Sequence, residues 1–229
     1  MSLEKSRIYV AACKNERIAI LPQQLQKLNR PYTLEKVMPS YKADGSKMYG
    51  DNVYFDPPSQ RFRQQLLLEI DKPFLWLEDD IDIPDNFIDV WSVYEQNLPD
   101  DWKVAVLGWG IIYDNEDIKI RKVSPGWWHL EGGKINYGAF GGAHAILVNT
   151  GDWRLKLANR EFRCDVGFCG ALRNIGVMEI YHSDKILIGT NDPYTTFGDL
   201  VVQYLKMSEP LYFGWDNGYR AVTVDDFVI

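Results

Sequence analysis

Phe74-Leu75-Trp76-Leu77-Glu78-Asp79-Asp80-Ile81-Asp82 is the stretch on which the reading of this chain turns. Its first four residues follow Pro73 as an unbroken apolar run bounded by charge, the pattern of a strand buried on both faces. Carboxylates then occupy positions 78, 79, 80 and 82. They leave the strand together at its C-terminal edge, where open α/β sheets bind their ligands. Crowded carboxylates repel one another and destabilise the turn unless a cation neutralises them. An oxygen-only ligand set suits Mg2+ or Mn2+, ions that keep several waters and bridge to substrate phosphates. The same charges also read as an acidic strand-to-loop turn whose side chains are simply solvated.

Upstream, Ser6 to Cys13 is a short β-branched and aromatic run, and Ile18, Ile20, Leu21, Leu25 and Leu28 recur at helical spacing after it. Tyr32 to Met38 predicts a second strand, the Gly-, Asp- and Pro-rich segment 39–58 a loop, and Gln60 to Ile70 a helix. Downstream, Pro84-Asp85 starts a helix that runs to Gln96, and Val104 to Gly108 is another buried strand. The segment 126–142 is dense in glycine and aromatic residues, Ala143 to Asn149 reads as a strand, and helices follow at 150–159 and 165–175. A short strand is expected at Ile186 to Ile188. From Asn191 onward only Val201-Val202 and Phe213 to Trp215 break an unpatterned tail, so 191–229 reads as an irregular appendage to a single domain. Strands alternating with helices imply an α/β fold with a mostly parallel sheet covered on both faces.

Composition narrows the function. The 229 residues are 46% hydrophobic, enough for one sizeable core. A net charge of -7 argues against nucleic acid, whose binders carry a basic face. A single nucleotide diphosphate is compatible with an acidic protein, because a bound metal supplies positive charge locally. The apolar run near the N-terminus is too short for a signal segment or a membrane span. Cys13, Cys164 and Cys169 are odd in number and lack Cys-x-x-Cys spacing, which points to a reducing cytoplasm and to neither disulfide nor structural zinc.

A strand ending in Leu-Glu-Asp-Asp, with a Phe starting a helix shortly after, resembles the LEDD signature of glycosyltransferase family 25, which makes lipopolysaccharide and collagen sugar linkages on a GT-A fold. Other segments are similar in the same order: Ile8-Tyr9-Val10 with Asn15-Glu16-Arg17 to the opening strand and its arginine-containing turn, Trp102 to Leu107 to the DWDLLYLG stretch, and Gly142 to Val148 to the GTHAYLI strand. Cys164-Asp165 falls where the family has a Val-Asp acid. The resemblance spans 6–190, with LEDD its specific element. The family's INLDRRPDR opening is replaced here by Ala11-Ala12-Cys13-Lys14-Asn15, and its Ser-His pair by Pro58-Ser59-Gln60-Arg61.

The resemblance implies a GT-A-like, Rossmann-related sheet and a nucleotide-sugar donor, a UDP-sugar first among them, with a carbohydrate or other hydroxyl acceptor. Asp80 would be the principal metal ligand, with Asp82 or Glu78 assisting through the metal, water or ribose, and Asp79 would lie among the donor contacts. Inverting transfer needs a general base opposite the leaving group, and Asp165 is the candidate; the same residue reads equally as a helix N-cap. His144 sits mid-strand as a hydrogen-bonded core histidine or a donor contact. Lys14, Arg17 and Arg61 reach phosphates or are merely solvated. Trp127-Trp128 is an acceptor platform or a cover for the core. A catalytically inactive domain of the same fold, binding a glycan or protein partner, is the alternative reading. A phosphohydrolase fits poorly, since Glu-Asp-Asp-Ile-Asp-Ile-Pro lacks its nucleophile pattern.

Overall fold

A computed structural model of the chain describes residues 2–12, 15–36, 63–68, 70–111, 119–131, 140–160, 168–184, 187–190, 211–213 and 220–222. After a single helical turn, α1 (Ser2–Lys5), strand β1 (Arg7–Ala12) leads to helix α2 (Asn15–Leu25) and a 3-10 turn (Gln26–Leu28). Then come β2 (Thr33–Lys36), a short helical stretch at 63–67, β3 (Phe74–Glu78), β4 (Ile81–Asp82) and helix α3 (Phe87–Gln96). Strands β5 (Val104–Ile111), β6 (Lys119–Ser124), β7 (Trp127–Glu131) and β8 (Phe140–Val148) precede helices α4 (Trp153–Ala158) and α5 (Phe168–Asn174). Strands β9 (Ile180–Ser183) and β10 (Gly189–Thr190) follow. In the tail, β11 (Leu211–Phe213) and β12 (Arg220–Val222) pair antiparallel with each other. No helix among the described residues is long and apolar enough to cross a membrane.

Eight strands form one sheet in the order β2-β1-β3-β8-β5-β9-β7-β6. The α/β class expected from the sequence holds, but the mostly parallel sheet does not. Three adjacencies are parallel (β2 to β1, β1 to β3, β5 to β9) and four are antiparallel (β3 to β8, β8 to β5, β9 to β7, β7 to β6). The physical reason lies in β8. Its run Ala145 to Val148 is fully buried, and a continuous apolar run reports burial on both faces without reporting direction.

Side chains alternate across the sheet as pleating requires. Phe74, Trp76, Val104, Val106, Ile146 and Val148 join one apolar cluster, to which helices add Leu66, Leu157, Ala158 and Leu172. Leu75, Leu77, Ala105, Leu107, Ala145 and Leu147 join the other, capped by Leu21, Leu25, Leu28, Phe87 and Trp91. Helical residues therefore cover both faces, as read from the sequence. Each such large side chain taken out of water contributes about 1.5–3 kcal/mol, so the central strands are rigidly placed relative to the helices. That rigidity fixes the end of β3.

Candidate functional site

The carboxylates of the opening stretch do not splay into solvent. Glu78 closes β3, Asp79 and Asp80 form the turn, and Asp82 lies in β4, whose Ile81 and Asp82 pair antiparallel with Thr190 and Gly189. Asp79 is 3% exposed and Asp80 8%, while Glu78 and Asp82 are half-buried. Two acids buried side by side require compensation, and Arg17 supplies part of it. Its Nη1 donates to Asp79 Oδ1 at 2.7 Å and stands 3.7 Å from Asp80 Oδ2. Asp80 Oδ1 is buried and accepts no hydrogen bond among the described residues.

Helix α2 and the 3-10 turn that follows it grip the acidic loop from one side. Gln24 Oε1 accepts the Ile83 N–H at 2.9 Å, and Lys27 Nζ donates to the Ile83 carbonyl at 2.6 Å. Arg17 and Gln24, seven residues apart, share one side of α2 beside the leucines Leu21 and Leu25 that go to the core, and Lys27 follows in the 3-10 turn. Lys27 also stands 3.1 Å from Asp85, whose side chain is 93% exposed, and a pair so open to water adds little.

Strand β8 brings His144 to the same edge. The ring is 7% exposed and its Nε2–H donates to the Ile188 carbonyl at 3.1 Å, which assigns the proton to Nε2. Burial lowers the His144 pKa below its ordinary value, against the opposing pull of the Asp80 charge and the bond to Ile188, so the imidazole is neutral at pH 7. Ile188 is itself anchored, since the N–H groups of Leu187 and Ile188 both donate to the Leu107 carbonyl. His144 is thus a hydrogen-bonded core histidine, and its position ties β10, and through it β4, to the sheet.

Room for that ring comes from Gly108. A Cβ there would stand 2.1 Å from His144 Nε2, 2.3 Å from its Cδ2 and 2.6 Å from the Ile188 carbonyl oxygen. Gly108→Ala is expected to push the ring out, break its bond to Ile188 and cost about 1–3 kcal/mol. Equilibrium urea unfolding checks this, and a variant within about 0.5 kcal/mol of the parent would show that the neighbours yield freely.

Of the residues singled out in the sequence, Glu78, Asp79, Asp80, Asp82, Arg17 and His144 converge on this edge. Lys14, Arg61 and Asp165 lie outside the described residues. Trp127 is fully buried with its Nε1–H donated to the Tyr94 carbonyl at 2.8 Å, and Trp128 is 8% exposed, so both belong to the core rather than to an exposed platform. Gly108, Gln24, Lys27 and the Ile188 carbonyl were not singled out. The helical spacing of Arg17 and Gln24 could have signalled one of them; nothing in the sequence marks Gly108 or Ile188.

Among the described residues no group of three or more His, Cys, Asp or Glu side chains is arranged to hold a metal ion. A closed protein cage is not what Mg2+ or Mn2+ needs in a phosphate site, where one or two carboxylates suffice and water and phosphate oxygens complete the shell. The unbonded Asp80 Oδ1 fits that lesser demand; Asp79, held by Arg17, fits it less well. No protein-family model and no curated protein sequence matches the chain.

Proposed function

We propose that this chain is a metal-dependent glycosyltransferase of the family 25 kind, with a GT-A-like sheet, working in the cytoplasm. It moves a sugar from a nucleotide-sugar donor, a UDP-sugar foremost, to a hydroxyl of a glycan such as lipopolysaccharide. The observation that carries the reading is the Asp80 carboxylate: buried just past the C-terminal end of β3, offset by Arg17, and with one oxygen unbonded among the described residues. A buried oxygen without a partner is costly, and such a cost is characteristic of sites completed by a ligand.

In this reading Asp80, with Asp82 or Glu78, would hold Mg2+ or Mn2+, and the chemistry such an ion would supply is Lewis-acid stabilisation of the departing diphosphate. Arg17 keeps Asp79 in place, and its guanidinium would attract the phosphate oxygens of the donor. His144 fixes β10 against β4, so that the acidic edge keeps its shape. Asp165 takes the proton of the acceptor hydroxyl as the new glycosidic bond forms and the bond to the diphosphate breaks.

Thermal unfolding with a series of nucleotide sugars tests the proposal. One donor should raise the midpoint by about 5–10 °C at ~100-fold excess over its Kd, and only with Mn2+ or Mg2+ present. A shift unaffected by chelator, or none for any donor, overturns it.

One observation favours the second reading, a non-catalytic domain that binds a glycan or protein partner: Arg17 already offsets the two buried acids, so the turn is electrostatically tolerable without a metal. Donor hydrolysis separates the readings, since a transferase slowly cleaves its own donor with water and a binding domain does not.

A further inference from the structure

The position of Arg17 carries a consequence for how a cation enters the site. Arg17 lies in the first turn of α2, where the positive end of the helix dipole disfavours a cation. Its side chain is only 16% exposed and is held there by acids from a distant part of the chain, Asp79 at 2.7 Å and Asp80 at 3.7 Å. The two contacts differ in kind. Asp79 receives a hydrogen bond, whereas Asp80 receives charge without one and keeps Oδ1 unbonded. Asp80 therefore keeps one buried oxygen without a hydrogen bond among the described residues, while its charge is already met by the guanidinium.

We infer that Arg17 is an internal counter-ion that excludes bare divalent cations from Asp80 and admits them only together with a diphosphate. A guanidinium stays charged at every relevant pH, so its repulsion of a second cation a few ångströms away is permanent. A diphosphate reverses the balance: its oxygens attract the guanidinium and the incoming ion alike, and each ligand then raises the affinity of the other. The inference rests on the proposed function and specifies its order of binding: metal and nucleotide enter as a unit, and free metal is ignored.

Titration of Mn2+, followed through the paramagnetic resonance of the free aqueous ion, tests it on the full chain. Wild type should bind Mn2+ weakly alone and at least about tenfold more tightly with one of the nucleoside diphosphates UDP, GDP, ADP or CDP. Arg17→Gln should bind Mn2+ alone at least about tenfold more tightly than wild type, with the coupling to diphosphate reduced by a similar factor. Arg17→Lys, which keeps the charge, should stay near wild type. If Arg17→Gln gains nothing for Mn2+ alone, or Arg17→Lys gains as much, the counter-ion role is overturned while the proposed function stands. Wild type binding Mn2+ equally well with and without diphosphate overturns it without any variant having to fold. Wild type binding no Mn2+ with any diphosphate overturns the proposed function and this inference together.

Discussion

Asp80→Ala loses at least about 100-fold in Mn2+-dependent affinity for a nucleoside diphosphate, while its unfolding free energy stays within about 1 kcal/mol of the parent. Both halves follow from one geometry. Asp80 is buried, yet Oδ1 is unbonded and Oδ2 meets Arg17 only at 3.7 Å, so little native hydrogen bonding is lost on truncation. Arg17 keeps its 2.7 Å bond to Asp79 and is not left as a lone buried charge. Under the proposed function, a carboxylate that contributes this little to the fold is kept for the metal it would hold. Calorimetric titration with and without Mn2+, alongside urea unfolding, reads the two quantities separately. Unchanged metal-dependent affinity would remove Asp80 from the site; a loss of several kcal/mol would make it a structural residue instead.

Arg154→Ala gives the largest loss of stability, about 3–5 kcal/mol in urea unfolding. Arg154 is completely buried on α4. Its Nε donates to the Leu66 carbonyl at 3.2 Å, Nη1 to Lys72 at 2.8 Å, and Nη2 to Gln65 at 2.9 Å and Leu68 at 3.0 Å. Its guanidinium also lies 4.9 Å from the centre of the Phe74 ring, close enough for a cation–π contact. The carbonyls belong to the end of the helical stretch at 63–67 and the turn beyond it, where a helix has no backbone donors left to satisfy them. Truncation strands several buried acceptors at once and opens a cavity under β3. Arg154→Lys recovers less than half of the loss, because a compact ammonium cannot reproduce the planar fork. A loss below about 1 kcal/mol in Arg154→Ala would mean that water replaces the guanidinium and that β3 is not secured this way.

Arg154 also shows how a legible signal can be misjudged. Leu157 and Ala158 stand three and four residues beyond it, so the helical period puts the arginine on the apolar stripe of α4. Composition alone assigns an arginine to the surface. What makes burial tolerable is a set of carbonyls more than eighty residues away, and no local pattern announces them.

The short strands were harder to read than the long apolar ones. Val104 to Leu107 and Phe74 to Leu77 are visible because both faces of each are apolar. Strand β9, Ile-Tyr-His-Ser, is buried throughout yet half polar, and β6 and β7 form an antiparallel pair inside or beside a segment whose glycines and aromatic residues look like loop. His182 of β9 is fully enclosed and its pKa falls to about 3, burial being the main cause and the positive charge of Arg173 and interaction with His129 adding to it. A histidine accommodated in this way is indistinguishable in sequence from a ligand. In the tail, β11 and β12 pair with each other where the sequence shows no period.

The sequence by itself determined the class of the fold, the strand that carries the acids and the place where they emerge, because burial on two faces and the abrupt change from apolar to charged residues are local properties of the chain. Tertiary structure alone decided the direction of β8, the partnership of Arg17 with Asp79 and Asp80, and the closeness of His144, Gly108 and Ile188. Those depend on which distant backbone lies alongside, and strand direction and charge pairing leave no trace in the order of apolar and polar residues along any one segment.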